Sequence, residues 1–241
     1  MGKELEINIP LSIEGITVKQ YREWIRVYES WDKEDDDYIK IKMLQIFCGL
    51  NPDETKKIKL SQFDTIINSL ANILNKECDL VRTFTMNGKN KDGEDVEVEF
   101  GFIPDLEDMT YGEWLDTEEY FGSWDNMNKL LAILYRPIYH KNKAGMYLID
   151  EYEGTSRYSE VMWDAPANVA LGCTLFFYRL GKKLSMLTLD FTQNALKNPD
   201  NQQTFNQASE EDGEVIMQSI PYVKEMLQES MQLPKLTFTN A

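Results

Sequence analysis

Apolar and polar residues alternate in two stretches of the chain that end alike and continue alike. LEINIPLSIEGITVKQYREW, from Leu5, and VEFGFIPDLEDMTYGEWLD, from Val98, each run through an extended pattern to Ile-Pro. Each then has an apolar residue, Glu, another apolar residue and Thr, followed by an amphipathic run. The alternation of Leu5, Ile7 and Ile9, and of Val98, Phe100 and Phe102, predicts strands that Pro10 and Pro104 end. Thr17 with Gln20 and Thr110 with Glu113 predict capping boxes, in which the threonine oxygen takes an orphan backbone N–H and the third helical residue reaches back. Ile16 with Tyr21 and Met109 with Trp114 stand at the spacing of a hydrophobic staple.

The echo persists beyond these helices. Polar linkers, WDKEDDDY and FGSWDN, lead to KMLQIF from Lys42 and KLLAIL from Lys129, which predict a second helix in each half. Gly49 is a helix stop and Asn51-Pro52 a turn; in the second half Pro137 disfavours helix for Arg136. Arg136 and His140 in LYRPIYH are read as cations at or just past a helix C-terminus, facing its free carbonyls, in preference to a catalytic role. His140, the only histidine, has no Ser, Cys or paired carboxylate near it in sequence.

Between the halves, LSQFDTIINSLANILNKE (60–77) predicts a helix, and LVRTFTM with VEVEFGFI predicts a β-hairpin around the turn-rich NGKNKDGED. GMYLIDEY predicts a short strand and TSRYSEVMWD a short helix. From Pro166, ANVALGCTLFFYRLGKKLSMLTLDFTQNAL is apolar on most faces and predicts a central helix or helix pair with Gly181 as a candidate break. Residues 197–213 are polar and predict a linker; EVIMQSIPYVKEMLQESMQ predicts a terminal helix and LPKLTFTNA a strand-like tail.

Composition narrows the function classes. The 241 residues are 42% apolar and 12% aromatic, enough for a sizeable core. The formal charge of −16 repels phosphate backbones and anionic membranes, so neither nucleic acid nor membrane is an expected partner. No apolar run approaches the roughly 20 residues that cross a bilayer, and MGKELEINIP has neither a hydrophobic signal core nor a transit-peptide pattern, so the chain is expected to stay where it is made. Cys48, Cys78 and Cys173 are odd in number and far apart, as packed free thiols of a reducing compartment are.

Motifs for phosphate loops, nucleophile elbows, zinc proteases and deaminases are absent, and no cofactor or metal is expected. DKEDDD fails as a calcium loop: from Asp32, glycine is needed where Asp37 stands and glutamate where Met43 stands, so a solvated acidic linker is expected instead. Trp114, Asp116, Glu118, Glu119, Tyr120, Trp124 and Asp125 combine aromatics with carboxylates, which suits a sugar or peptide groove. Helix packing with an acidic outer face accounts for them equally and is preferred.

MTYGEWLD, WDNMNKLLAILYRPI, YLIDEYEGTSRY and the apolar run ending LFFYRLGKKL resemble proteins encoded in the structural gene blocks of tailed bacteriophages, especially crAss-like and related podoviruses. The likeness spans most of residues 1–190, rests on structural patterns, and brings no catalytic residues. It implies a virion component of the tail or head-to-tail connector, assembled in the host bacterial cytoplasm, or a chaperone that assembles one and leaves. Its partners would be copies of itself and other phage structural proteins.

The expected fold is α+β and predominantly α-helical. Two strand–capped-helix–helix units flank a β-hairpin, followed by a long apolar core helix and a C-terminal arm. Residues 1–196 are expected to form one body of two similar halves, 1–78 and 79–196, and residues 197–241 an interaction arm. Its candidate contact residues are Val215, Ile216, Tyr222, Met226, Leu227, Leu233, Leu236 and Phe238. The leading expectation is a non-enzymatic virion protein packed in a ring. The alternatives are an assembly chaperone and an enzyme acting on sugar or peptide through the Trp-rich acidic region.

Overall fold

Both predicted capping boxes form. Thr17 Oγ1 accepts from the Gln20 N–H at 3.2 Å and starts α1 (Val18–Glu29). A chain of short elements follows: α2 (Asp36–Cys48), α3 (Pro52–Thr55) and α4 (Leu60–Leu74). The hairpin of β1 (Thr83–Lys89) and β2 (Asp95–Phe102) comes next, and then α5 (Tyr111–Tyr120), started by Thr110. After it come α6 (Met127–Leu134), β3 (Tyr135–Lys141), β4 (Tyr147–Ile149), α7 (Ser159–Met162) and α8 (Ala167–Lys197). These elements come from a computed structural model that describes residues 7–32, 35–89 and 95–197. They make the protein α+β and predominantly helical, with a four-stranded antiparallel sheet in the order β1-β2-β3-β4 among the described residues. Among the described residues no helix is long and apolar enough to cross a membrane.

Several local expectations are corrected. Residues 7–10 are not in a strand, so of the two predicted alternating runs only the second is seen as one, within β2. The acidic linker is shorter than expected, because α2 begins at Asp36 rather than near Lys42. Asp35 caps the Tyr38 N–H at 2.9 Å, and Asp36 and Asp37 sit in the first turn, where carboxylates meet the positive end of the helix dipole. Asn51-Pro52 opens a helical turn rather than a plain turn: Asn51 caps Asp53 and Glu54, Pro52 holds the first position, and Glu54 closes a third capping box. Gly49 ends α2 at φ +68° as predicted. Gly181 does not break α8, which runs on through it.

The described residues fall into two units that divide within α8, after Gly172. In the first, α1 turns Tyr21, Trp24 and Ile25 inward, and the Trp24 ring lies 5.7 Å from that of Phe47 on α2. Main-chain bonds fasten the start of α1 to the approach of α8: the Val18 N–H donates to Ala165 O at 2.8 Å, and the Ala167 N–H to Ile16 O at 2.8 Å. Further along α8, Gly172 lets the backbone after α4 approach closely, since a Cβ would fall 2.2 Å from Asp79 O. In the second unit the described residues, 173–197, are helical, and the Phe176 and Phe177 rings meet edge to face.

The sheet is built around α6, which is buried along nearly its whole length and passes into β3 without a loop. Tyr135 leaves the helix in extended conformation, and β3 pairs with β2 through Phe102↔Tyr135, Gly101↔Arg136 and Phe100↔Pro137. The Tyr135 hydroxyl donates to Val81 O at 2.7 Å. Tyr147 of β4 crosses over Gly101 to reach Phe102 O at 2.8 Å, a path that any side chain at 101 would block.

Candidate functional site

Helix α5 is turned the opposite way from an ordinary amphipathic surface helix. Tyr111, Trp114 and Leu115, at i, i+3 and i+4, lie along one face and are 76%, 53% and 44% exposed. The residues it turns inward are Glu113, 3% exposed, and Thr117. The expectation of packed aromatics with an acidic outer face therefore fails for Trp114, and it does not foresee that Glu113 is buried. Carboxylates do remain outside, with Glu118 and Glu119 exposed.

The reason is a counter-charge supplied by the sheet. Arg136, 6% exposed in β3, donates from Nη1 to Glu113 Oε1 and forms a buried ion pair with it. The other carboxylate oxygen, Oε2, accepts from the Thr110 N–H at 2.7 Å and from the Thr110 hydroxyl at 2.8 Å. Burial alone would push the Glu113 carboxyl up. The Thr110 backbone and hydroxyl and the Arg136 guanidinium outweigh it and hold the carboxyl below its ordinary value. One residue thus closes a helix cap and fixes that helix to the sheet.

A second pair lies alongside. The Tyr152 hydroxyl donates to Asp116 Oδ2, and the Tyr152 ring faces the Arg136 guanidinium, 5.6 Å from centroid to Cζ. Burial and then the Asp116 carboxylate push the Tyr152 phenol up, so it stays a neutral donor. Beyond it, the Tyr158 hydroxyl donates to Asp150 at 2.7 Å and Arg157 binds Glu153 at 3.0 Å. Glu113 and Asp116 are thus held by Thr110, Arg136 and Tyr152, while the buried Thr117 hydroxyl has no hydrogen-bond partner among the described residues; what the helix presents outward is aromatic, apolar and acidic.

The expected position of Arg136 as a solvated cation facing helix carbonyls is corrected by the same geometry. α6 stops at Leu134, and Arg136 belongs to a strand whose neighbouring helix carries its carboxylate. His140 is exposed further along β3, opposite Leu148. The remaining members of the Trp-rich acidic group separate. Trp124 packs on Tyr21 at 4.8 Å, and Asp125 bridges to Arg26 at 2.6 Å, so both join the turn before α6 to α1 rather than lining a groove with Trp114. Cys48, Cys78 and Cys173 are free thiols; burial pushes Cys48 up to about 11 and also raises the other two. Among the described residues no three His, Cys, Asp or Glu are grouped to hold a metal ion. The candidate contact residues Val215, Ile216, Tyr222, Met226, Leu227, Leu233, Leu236 and Phe238 lie outside the described residues.

Two signals in the sequence point to this site. An arginine stands inside the apolar run ILYRPI, and the third residue of the second capping box is a charged glutamate where the first has a neutral glutamine. A buried charge requires a partner. No protein-family model, curated protein or solved structure matches the chain.

Proposed function

We propose that this chain is a non-enzymatic structural protein of a tailed-bacteriophage virion, a component of the tail or head-to-tail connector that acts through protein–protein contacts in a ring-like assembly. The observation that carries this reading is the outward apolar face of α5. Burying Glu113 and exposing Trp114 runs against the solvation preference of both side chains, and a contact surface is the setting in which such an arrangement is useful. Tyr and Trp are favoured anchors of protein interfaces, and a helix pinned from behind loses little conformational freedom on docking. The resemblance of MTYGEWLD and WDNMNKLLAILYRPI to phage structural-block proteins supports the same reading, and both runs include or border this face.

Other copies of the chain and other phage structural proteins are its partners in this reading, in particles assembled in the host cytoplasm. The two capped helices, each followed by a second helix, descend from a duplicated unit, and residues 197–241 serve as an interaction arm. Peptide mass spectrometry of purified particles of the encoding virus tests the proposal. Presence of the chain in stoichiometric amount supports it. Absence from particles, with presence in infected cells, refutes it and points to an assembly chaperone or an enzyme.

A further inference from the structure

The chemistry around the exposed stripe identifies what would cover it. Between Asp105 and Asn128 the chain carries eight acidic residues and no lysine or arginine. Asp105, Glu107, Asp108, Glu118 and Glu119 are exposed, while Asp125 is paired with Arg26, and Lys129, the next cation in the chain, lies over the Tyr120 ring. Arg136, which the fold brings to this helix from behind, is neutralised by Glu113. Tyr111, Trp114 and Leu115 therefore form an apolar strip in a strongly negative field.

We propose that the outward face of α5 docks a cationic amphipathic segment of a different protein, whose apolar residues meet Tyr111, Trp114 and Leu115 and whose lysines or arginines meet the acidic rim. This deepens the reading of the chain as a virion contact protein and rests on it. Charge complementarity selects the occupant. A second copy laid face to face would set one acidic rim against another. The segment of this chain with the clearest helical apolar pattern outside the described residues, 214–232, carries Glu214, Glu225 and Glu229 against Lys224 alone, so it too has the wrong sign. Nucleic acid and anionic lipid are repelled by the same field. A partner helix of about three turns matches the roughly 15 Å length of α5.

The test uses the full-length protein and a fluorescein-labelled peptide of about 18 residues, five helical turns, made of leucine and lysine with the leucines on one face. Binding is followed by anisotropy at about 0.15 M ionic strength. Two control peptides keep the length: one replaces leucine by serine, the other lysine by glutamate. The proposal expects the parent peptide to bind and both controls to bind much more weakly. Trp114→Ala and Tyr111→Ala should each weaken binding about tenfold, with unchanged circular dichroism and denaturation midpoint. Leu60→Ser, at an exposed apolar site on α4, should leave binding as it was.

Binding that survives Trp114→Ala, or that the serine peptide reproduces, would reduce the effect to general charge attraction and overturn the proposal. Self-association in sedimentation that Trp114→Ala abolishes would overturn it in favour of a second copy. The outcome is separable from that of the particle analysis. Trp114-dependent peptide binding by a chain absent from particles would sink the virion reading and leave the docking face standing; a chain present in particles but indifferent at Trp114 would do the reverse.

Discussion

Helices α1 and α5 begin with the same device and end as opposites. Each starts at a threonine whose oxygen takes the third N–H, and in each the third residue returns the bond and then reaches further. Gln20 Nε2 donates to Ile46 O at 2.9 Å, while Glu113 accepts from Arg136. The residue after it shows the divergence. Tyr21 is buried against Trp124, whereas Trp114, one position past Glu113, faces outward. A capping box fixes where a helix starts and in what direction the chain enters. It leaves open which face of that helix will be buried, and a neutral amide or a charge at the third position is enough to tip the choice when the opposite charge waits across the fold.

The largest effect that would test this contrast is at Trp24, on the inward face of α1. Trp24→Ala should cost about 3–5 kcal/mol in chemical denaturation, since the ring is fully buried beside Phe47 and Tyr28. Next comes the ion pair: Arg136→Met strands a buried carboxylate and should cost about 3–5 kcal/mol, whereas Gln20→Ala, which removes neutral bonds, should cost about 0.5–1.5 kcal/mol. Equal losses at the two sites would mean that the pair does not orient α5.

The pH dependence gives a smaller and more specific signal. The folded Glu113 carboxyl lies below its unfolded value of about 4.3, so it contributes stability that is complete above that pH and is lost as pH falls through the folded value. Glu113→Gln removes this dependence, and the stability of the variant should fall less than that of the parent between about pH 6 and pH 3. Parallel pH profiles would remove Glu113 from the account.

Thr17→Ala and Thr110→Ala should each cost about 0.5–2 kcal/mol, with the larger loss at 110, where the hydroxyl donates to a charged carboxylate at 2.8 Å rather than to the Gln20 amide oxygen at 3.3 Å. The smallest effect is the most telling counterpart to Trp24. Trp114→Ala should change stability by less than about 0.5 kcal/mol, because the ring lies on the outward face of its helix. A loss comparable to that of Trp24→Ala would show that α5 buries its aromatic face after all.

Much of the fold was legible because it rests on bonds a few residues long. The caps at Thr17 and Thr110, the stop at Gly49, α4 and the β1–β2 hairpin are all set by neighbours in sequence. Errors came where a local signal had two readings. DDD in WDKEDDDY is as good a helix start as a linker, and Pro137 ends a helix whether the chain then turns into solvent or enters a sheet. LYRPI read as a helix exit because nothing within it names the strand beside which it would lie.

The sequence by itself determined where α1 and α5 begin, since each capping box closes within four consecutive residues. Only the tertiary structure decided that α5 would bury a carboxylate and show its tryptophan. That choice depends on the Arg136 guanidinium, 23 residues further on, and on the pairing with β2 that carries it beneath the helix. A charge leaves water only when an opposite charge is already in position, and helical spacing records which residues share a face but not what stands opposite that face.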